Sequence, residues 1–487
     1  MNVRQFAAVS LSAAILFGGS FTSASAKGGA DEKGYKETYG TSQITRQDMK
    51  DMINQHGDDK FTVPSFDAST IKNVESATKT DENGNKIKMD VWDTWPLQNA
   101  DGTVAEYKGY QIVFGLAGDP KNPNDTFIYM FYKKAGDDSI DAAWKNAGRV
   151  FDDEDKNKAD DKYLPGQLEE WSGSALFTDD GEIRLFYTNR GDFDESKELF
   201  GRQTLTTAQV NVSEKGDKDL QVDGIEDHKS IFNGGDGKTY ENVEKAFEDR
   251  NFNNNHTFRD PHYIEDKGHK YLVFEANTGT EYGYSGEDNL YNRAYYGKSM
   301  KFFRDELKNL QNSPKKETAE LANGAMGIIE INDDYTFKKE KKPLLVSNTV
   351  TDEIERPNIF KKDGKFYLFT SARGSKMTID GIDDEDIYML GYVSNSLDGP
   401  FKPMNKTGIV LHQDLDPNDI TWTYAHYVIP QEESDKFVVT SYMTNRGYFA
   451  DHKSTFAPSF LLDIKNKKSS VVKDGTLEQG QITYDGQ

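Results

Sequence analysis

Five segments of the chain share one pattern: an apolar run, a tight polar turn, and a second apolar run rich in aromatic residues. The turns are Asp-Gly, Lys-Gly or similar pairs, which accept the positive φ that joins two twisted antiparallel strands. Each segment therefore predicts a β-hairpin. The five segments are residues 105–118, 172–189, 261–276, 357–372 and 424–444.

The spacing of these hairpins constrains the fold. Successive turns lie about 70 to 100 residues apart, which leaves room for two further strands and an insertion in each unit, as in a propeller blade. We therefore predict an all-β, five-bladed β-propeller with a central axial active-site pocket and a few helical insertions. One insertion is expected at residues 287–321, where aromatic and leucine side chains recur near helical spacing. Because the hairpin spacing is irregular, a large β-sandwich remains an alternative.

The N-terminus has the features of a secretory leader. Arg4 supplies a short basic region, residues 7–21 an apolar run, and Ala24-Ser25-Ala26 a small-residue cleavage site. The apolar run is too short to span a bilayer, and no later segment approaches about 20 consecutive apolar residues. We expect a signal peptide at residues 1–26, a polar surface segment at 27–60, one catalytic propeller domain at 61–487, and secretion to the extracellular medium.

Charge and composition exclude several functions. The formal net charge is −23, which disfavours nucleic acid and anionic membranes as partners. The chain has no cysteine, so a disulfide framework, cysteine-ligated metals and a thiol nucleophile are excluded. Neutral sugars remain as substrates. We predict a monomer that binds neither nucleic acid nor membrane.

Tryptophans and acidic residues adjoin at two places. Asp93 follows Trp92, and Trp171 lies between Glu170 and Ser172. An aromatic face beside an acid suits a sugar, which presents an apolar C–H face and a rim of hydroxyls. Taken alone, each short motif is better explained by a structural tryptophan in the core.

Two further acidic motifs stand where predicted strands begin. Asp260 follows Arg259 at the start of the third hairpin, and the run DEIER at 352–356 precedes the fourth. If these strands line the axis of a propeller, their first residues surround the mouth of one channel. Asp93, Asp260 and Glu355 would then converge.

Converging carboxylates permit chemistry at a glycosidic bond. A retaining mechanism needs an ionised nucleophile and a protonated general acid about 5 to 5.5 Å apart. Asp93 suits the nucleophile, and Glu355, with two acidic neighbours that raise its proton affinity, suits the acid/base. Asp260 suits a group that grips sugar hydroxyls more tightly as positive charge develops.

Four motifs together resemble the signature motifs of the bacterial levansucrases, glycoside hydrolase family 68, in the secreted Gram-positive branch. They are VWDTWPL at 91–97, EWSGS at 170–174, RDPH at 259–262 and DEIER at 352–356. The likeness runs from about residue 35 to the C-terminus. It implies a five-bladed propeller that transfers the fructosyl unit of sucrose, through a covalent fructosyl-enzyme, to a growing β-2,6 fructan (levan), to sucrose or to water.

The resemblance implies a role for each matched residue. Asp93 would be the nucleophile, Asp260 the transition-state stabiliser and Glu355 the acid/base, with Ser172 holding the nucleophile and Tyr424 tuning the acid/base. The expected substrate-binding residues are Trp92, Trp171, Ser172, Arg259, Glu353, Arg356, Arg373, Tyr424, Lys376 and Asn255. The two tryptophans would form the walls of the fructosyl pocket, and the last two residues of the list would lie at acceptor subsites.

The calcium site of the family transfers less completely. The matched positions are Asn254, Ser285, Leu321, Asn323 and Asp352. Asn254 and Ser285 stand where the family commonly has an aspartate and a glutamine, so one carboxylate ligand is lost. We expect a weakened structural calcium site or none, and no cofactor in catalysis.

Other functions remain open at this point. A sucrose or fructan hydrolase shares the chemistry because water can replace the sugar acceptor, but relatives devoted to hydrolysis usually carry an Asn-Asp-Pro-Asn type of nucleophile motif, which is absent here. An inulosucrase, which builds a different linkage, fits the same motifs. A non-catalytic fructan-binding propeller is the remote alternative, and the complete acidic trio argues against it.

Overall fold

The computed structural model describes residues 41–486 except 82, 123–124, 137–143, 153–166, 192–200, 217–218, 245, 247–255, 298, 417–418, 433 and 444–453. The predicted signal peptide at 1–26 lies outside the described residues, as do Asn254 and Asn255. Among the helices of the described part, none is long and apolar enough to cross a bilayer.

Strands dominate the described chain. They are β1 (Ser42–Gln43), β2 (Thr78–Thr80), β3 (Lys86–Lys88), β4 (Asp90–Gln98), β5 (Glu106–Tyr107), β6 (Tyr110–Gly118), β7 (Phe127–Lys134), β8 (Lys145–Arg149), β9 (Gln167–Phe177), β10 (Ile183–Gly191), β11 (Arg202–Lys215), β12 (Asp219–Phe232), β13 (Phe258–Asp266), β14 (His269–Asn277), β15 (Gly324–Ile331), β16 (Phe337–Glu340), β17 (Leu345–Val346), β18 (Glu355–Lys362), β19 (Lys365–Arg373), β20 (Asp386–Ser394), β21 (Lys402–Pro403), β22 (Ile409–Asp414), β23 (Thr423–Pro430), β24 (Lys436–Met443), β25 (Thr455–Phe456), β26 (Pro458–Lys465) and β27 (Lys468–Gln479).

Helical segments are short. The α-helices are α1 (Arg46–Met52), α2 (Met300–Leu310) and α3 (Lys316–Leu321), and the 3-10 helices are Ile53–Gln55, Ala68–Thr70, Glu287–Tyr291, Arg293–Tyr296 and Gly374–Lys376. The helical insertion expected at residues 287–321 is therefore confirmed.

The long strands form five antiparallel blades. The blades run β4-β6-β7-β8, β9-β10-β11-β12, β13-β14-β15, β18-β19-β20 and β23-β24-β26-β27, and short strands extend the third and fourth. The first strand of each blade contacts the first strand of the next, and β23 contacts β4, so the ring is closed. The five-bladed propeller is confirmed, and the sandwich alternative is wrong.

All five predicted hairpin turns join paired strands, but the first hairpin is not the innermost part of its blade. It joins β5 to β6, and β5 has only 2 residues. The strand that lines the axis is β4, which pairs with β6 from outside the predicted segment. Because β4 contains Pro96 and lacks polar–apolar alternation, a pattern search does not find it.

Apolar side chains fill the space between neighbouring blades. Phe360 of β18, for example, stacks on Phe437 of β24 with ring centroids 5.6 Å apart. Such burial stabilises the fold by roughly 25 cal/mol for each Å² of apolar surface removed from water. The blades therefore hold the axial strands in fixed positions.

The described part of the predicted surface segment, residues 41–60, is anchored to the propeller on one face. β1 pairs in parallel with β17, and one face of α1 buries Arg46, Met49 and Met52. The buried Arg46 guanidinium donates to Glu306 Oε1 at 2.7 Å. Polar composition concealed this anchor because the few buried residues of a short helix include a charged one. The boundaries at 26/27 and 60/61 stay predictions.

Candidate active site

Every axial strand carries a β-bulge with one extra residue. In β4, β13, β18 and β23, two residues oppose one on the partner strand, and β9 has a similar shift. The φ angles at these bulges are 44° at Asp93, 58° at Asp260, 57° at Arg356 and 54° at Ala425. Positive φ is unfavourable for residues with a side chain, and bulges of this kind often redirect side chains next to active sites.

Asp93 is held by a residue of the next blade. The Ser172 hydroxyl of β9 donates to Asp93 Oδ2 at 2.8 Å, as expected from the sequence. Gly173, which follows, allows β9 to lie close to β10, because a Cβ there would be 1.8 Å from the carbonyl oxygen of Phe186. The EWSGS motif thus combines an orienting hydroxyl with a close strand approach.

Asp260 is a buried carboxylate of the third blade. Its backbone N–H donates to Thr188 Oγ1 at 2.8 Å. Burial raises the pKa of Asp260 to about 6, the two neighbouring arginines oppose this rise, and the charges of Asp93 and Glu355 add to it. Asp260 therefore lies within electrostatic range of both of the other acids.

Side chains from three strands contact the Glu355 carboxyl group. Arg259 Nη2 of β13 donates to Glu355 Oε1 at 3.1 Å, and the Tyr424 hydroxyl of β23 donates to Oε2. Arg373 Nε of β19 lies 3.5 Å from the same Oε2. These contacts fix the orientation of the carboxyl group that is expected to transfer protons.

Arg259 compensates the crowding of negative charge. Its guanidinium contacts Glu275 at 2.7 Å, Glu353 at 3.3 Å and Glu355 at 3.1 Å. Burial lowers the pKa of Arg259, but these carboxylates outweigh burial and raise it well above its ordinary value. The permanently charged guanidinium of Arg259 thus allows several carboxylates to share a buried site.

Of the remaining predicted subsite residues that the structure describes, Trp171 and Lys376 lie next to Arg259 and Glu353. Trp92 is buried, and Trp171 Nε1 donates to Glu169 Oε2 at 2.7 Å. The Arg259 guanidinium lies 5.7 Å from the Trp171 ring centroid. Lys376 Nζ lies 3.5 Å from Glu353 Oε2, and the Lys376 side chain is 41% exposed, so it is the kind of group that an incoming acceptor can reach.

Arg356 is placed differently from the prediction that it binds substrate. The residue is only 4% exposed, and its Nη2 donates to the carbonyl oxygen of Thr94 at 2.9 Å. Its guanidinium lies 5.5 Å from the Trp95 ring centroid, and its backbone N–H donates to Asp260 Oδ2 at 3.3 Å. Arg356 ties β18 to β4 and positions Asp260 beneath the pocket.

Sequence reasoning missed two members of the site, Glu275 and Thr188. Glu275 is a lone acid inside the apolar run YLVFEAN at 271–277 and is fully buried. A buried acid of this kind needs a charged partner, which was a usable signal. Thr188 gave no signal, because its role depends only on how two blades meet.

The residues matched to the calcium site are partly brought together. The Asn277 Nδ2 group donates both to Asn323 Oδ1 and to Asp352 Oδ1, each at 2.9 Å, so these two oxygens lie close to each other. Leu321 ends α3 just before Asn323. A calcium ion takes six to eight oxygen ligands, and Asp352 is the one carboxylate among the matched residues. The fit is partial, because Asn323 and Asp352 already share the Asn277 amide as a donor.

A propeller whose axis gathers three carboxylates from three blades, with aromatic rings beside them, belongs to the class of enzymes that act on glycosidic bonds. The comparison with protein families specifies this class. The family model described as Levansucrase/Invertase, glycoside hydrolase family 68, matches residues 35–483. The chain belongs to this family.

Individual relatives of the chain are also named levansucrases or resemble them in structure. The chain is 62% identical to a levansucrase of Bacillus subtilis, with 99% of each chain covered. It is 60% identical to a protein of Geobacillus stearothermophilus named inactive levansucrase, again with 99% of each covered. Among solved structures, it resembles a variant of Bacillus subtilis levansucrase in complex with oligosaccharides, with 63% identity and a TM-score of 0.86 over 92% of this chain and 99% of the other.

Proposed function

We propose that the protein is a levansucrase: a retaining fructosyltransferase that cleaves sucrose and transfers the fructosyl unit to a growing β-2,6 fructan, to sucrose or to water. The observation that carries this proposal is the geometry of the trio. Asp93 is oriented by Ser172, Glu355 is held by an arginine and a tyrosine, and Asp260 interacts electrostatically with both.

In the first step, Asp93 attacks the anomeric carbon of the fructosyl unit, and the bond from that carbon to the glucosyl oxygen breaks. Glu355 donates its proton to that oxygen, so glucose leaves as a neutral molecule. Asp260 accepts hydrogen bonds from sugar hydroxyls, and these strengthen as positive charge develops on the ring. A covalent fructosyl ester on Asp93 results.

In the second step, an acceptor hydroxyl replaces glucose. Glu355, now a carboxylate, takes the proton of this hydroxyl while its oxygen attacks the anomeric carbon and Asp93 departs. The choice between sugar and water depends on the open side of the pocket, where Lys376 and Arg373 are 41% and 37% exposed. These two side chains are the expected contacts of the acceptor and of the glucosyl unit.

The relative named inactive levansucrase, at 60% identity, makes a direct assay necessary. Purified protein is incubated with sucrose, glucose and fructose are quantified, and any polymer is analysed for linkage, with Asp93→Asn as the control. Levan formation with more glucose than fructose released is the expected result. Equal release of both sugars at high sucrose would mean a hydrolase, and β-2,1 linkages an inulosucrase. Absence of turnover would mean a binding protein.

We further propose that the protein is secreted after removal of residues 1–26 and acts as a monomer. The basic and apolar leader supports the first statement, and the continuous propeller ring supports the second. N-terminal sequencing of the protein from culture medium should begin at Lys27, and light scattering should give the mass of one chain.

For calcium, we propose a weakened site around Asn323 and Asp352. The supporting observations are the two converging side-chain oxygens and the presence of Ser285 where the family commonly has a longer amide side chain.

A further inference from the structure

A cluster of metal-binding side chains lies away from the axial trio, where the N-terminal segment meets the fourth blade. It consists of His56, Asp386 and His412, and one donor atom from each lies within 4.8 Å of the other two. In the described part of the chain, this is the one group of at least three such residues at that spacing.

The fold brings the three residues together from distant parts of the chain. On the paired strands β20 and β22, Tyr388 lies opposite His412, and Asp386 shares a face with Tyr388 because the two are separated by one residue. His56 follows the 3-10 helix Ile53–Gln55. Backbone hydrogen bonds hold the next residues of this segment against β22, from His412 N to the carbonyl oxygen of Phe61 and from Val63 N to that of His412.

The contacts within the cluster are close. His412 Nε2 lies 2.7 Å from Asp386 Oδ1, and the rings of His56 and His412 stack with centroids 4.0 Å apart. Asp386 and His412 are buried, whereas His56 is half-buried, which leaves a path from solvent to the cluster.

The donor types fit a transition metal. Two imidazole nitrogens and one carboxylate oxygen form a ligand set typical of Zn²⁺, with a fourth position for water. The other carboxylate oxygen, Asp386 Oδ2, accepts from the Tyr388 hydroxyl at 2.8 Å and from the Asp383 backbone N–H at 3.0 Å. Such outer partners orient a carboxylate for metal binding.

We propose that His56, Asp386 and His412 form a Zn²⁺ site that fastens the N-terminal segment to the fourth blade. Zinc lies about 2.0–2.2 Å from nitrogen and oxygen ligands, so tetrahedral donors are roughly 3.3 Å apart. The hydrogen bond between His412 and Asp386 therefore opens by about half an ångström, and the two stacked rings rotate apart to face the ion.

The test uses the untagged full-length protein after treatment with a chelator. Isothermal titration with Zn²⁺ should show one bound ion per chain, and thermal unfolding should shift to higher temperature with Zn²⁺ and return with chelator. Tyr388→Phe, which removes the hydroxyl that contacts both Asp386 Oδ2 and His56 Nε2, should weaken binding about 10- to 100-fold. His56→Gln, which keeps a polar side chain at a half-buried position, should weaken Zn²⁺ binding by at least about 100-fold.

The matched control is His269→Gln. His269 is 52% exposed and pairs with one carboxylate, Glu330, at 2.9 Å, so its loss should leave the Zn²⁺ affinity unchanged. Sucrose turnover by His56→Gln serves as evidence of folding and should equal that of the wild type. The proposal is overturned if the wild type binds no Zn²⁺, or if the His56 and His269 variants bind it with equal affinity.

Discussion

Two buried polar clusters of the third and fourth blades are built in opposite ways. In the axial pocket, carboxylates outnumber the nearby positive charges: the single guanidinium of Arg259 contacts three of them. Around Asn277, by contrast, donors and acceptors match: its amide donates to Asn323 and Asp352, and its Oδ1 accepts from Thr257 N and Oγ1 at 2.6 and 2.8 Å.

The difference indicates that the axial pocket serves function and that the Asn277 cluster serves stability. The axial pocket concentrates like charges and places Asp93, Asp260 and Arg356 at positive φ, and both features are unfavourable for folding. The Asn277 cluster satisfies buried polar groups, which stabilises the fold. Substitutions in the pocket should therefore remove activity without loss of stability, and substitutions around Asn277 should do the reverse.

The largest effect is expected from Asp93→Asn. The amide keeps the shape of the side chain but cannot attack the anomeric carbon, so sucrose turnover should fall on the order of 10⁴-fold or more. The melting temperature should stay at or above the wild-type value. Initial rates and thermal unfolding measure the two quantities. A rate near that of the wild type would remove Asp93 from the mechanism.

Asp260→Asn, a substitution in the axial pocket, should raise the free energy of unfolding. Since folding raises the pKa of Asp260 from 3.8 to about 6, the folded protein holds this proton more tightly, and stability falls as pH rises through that interval. At pH 7 the neutral amide avoids this penalty, which is on the order of 2–3 kcal/mol at 1.36 kcal/mol per pH unit.

The gain from Asp260→Asn should fade as pH falls from about 6 towards 4, because wild-type Asp260 then becomes neutral as well. Denaturant unfolding at several pH values measures it. The reverse outcome, a variant less stable than the wild type at pH 7, would show that the arginines make the Asp260 charge favourable.

Asn277→Ala should have the opposite signature. Loss of the amide removes the acceptor of the Thr257 backbone N–H and the donor to Asn323 Oδ1, so the free energy of unfolding should drop by about 1–3 kcal/mol. Turnover per folded molecule should change little. Asn312→Ala, at an exposed position, is the control. A large loss of rate with normal stability would show that Asn277 serves catalysis rather than folding.

Removal of calcium should have the smallest effect. A weakened site contributes little, so a chelator should lower the melting temperature by at most about 2 °C. The same scan with added calcium is the control. A drop of about 10 °C or more would mean that Asn323, Asp352 and their neighbours hold the ion strongly in spite of the altered ligands.

The sequence alone predicted the repeat, the five hairpins and the acidic trio, because turn chemistry and charged residues at strand entries are local signals. It did not identify β4 as an axial strand, since a proline and closely spaced tryptophans obscure its pattern. It assigned Arg356 to the substrate, whereas the side chain reaches across to Thr94. Contacts between blades, such as that of Thr188 with Asp260, depend on the closed ring and cannot be read from neighbouring residues.

In the proposed mechanism, Asp93 carries the fructosyl unit while Glu355 and Asp260 act on it. The most direct measurement is mass spectrometry of enzyme mixed with sucrose and quenched in acid within the first turnover. We expect the added mass of one hexosyl residue on the peptide that contains Asp93, and its absence in Asp93→Asn. A label on a peptide containing Asp260 or Glu355 instead, or no label during turnover, would contradict it.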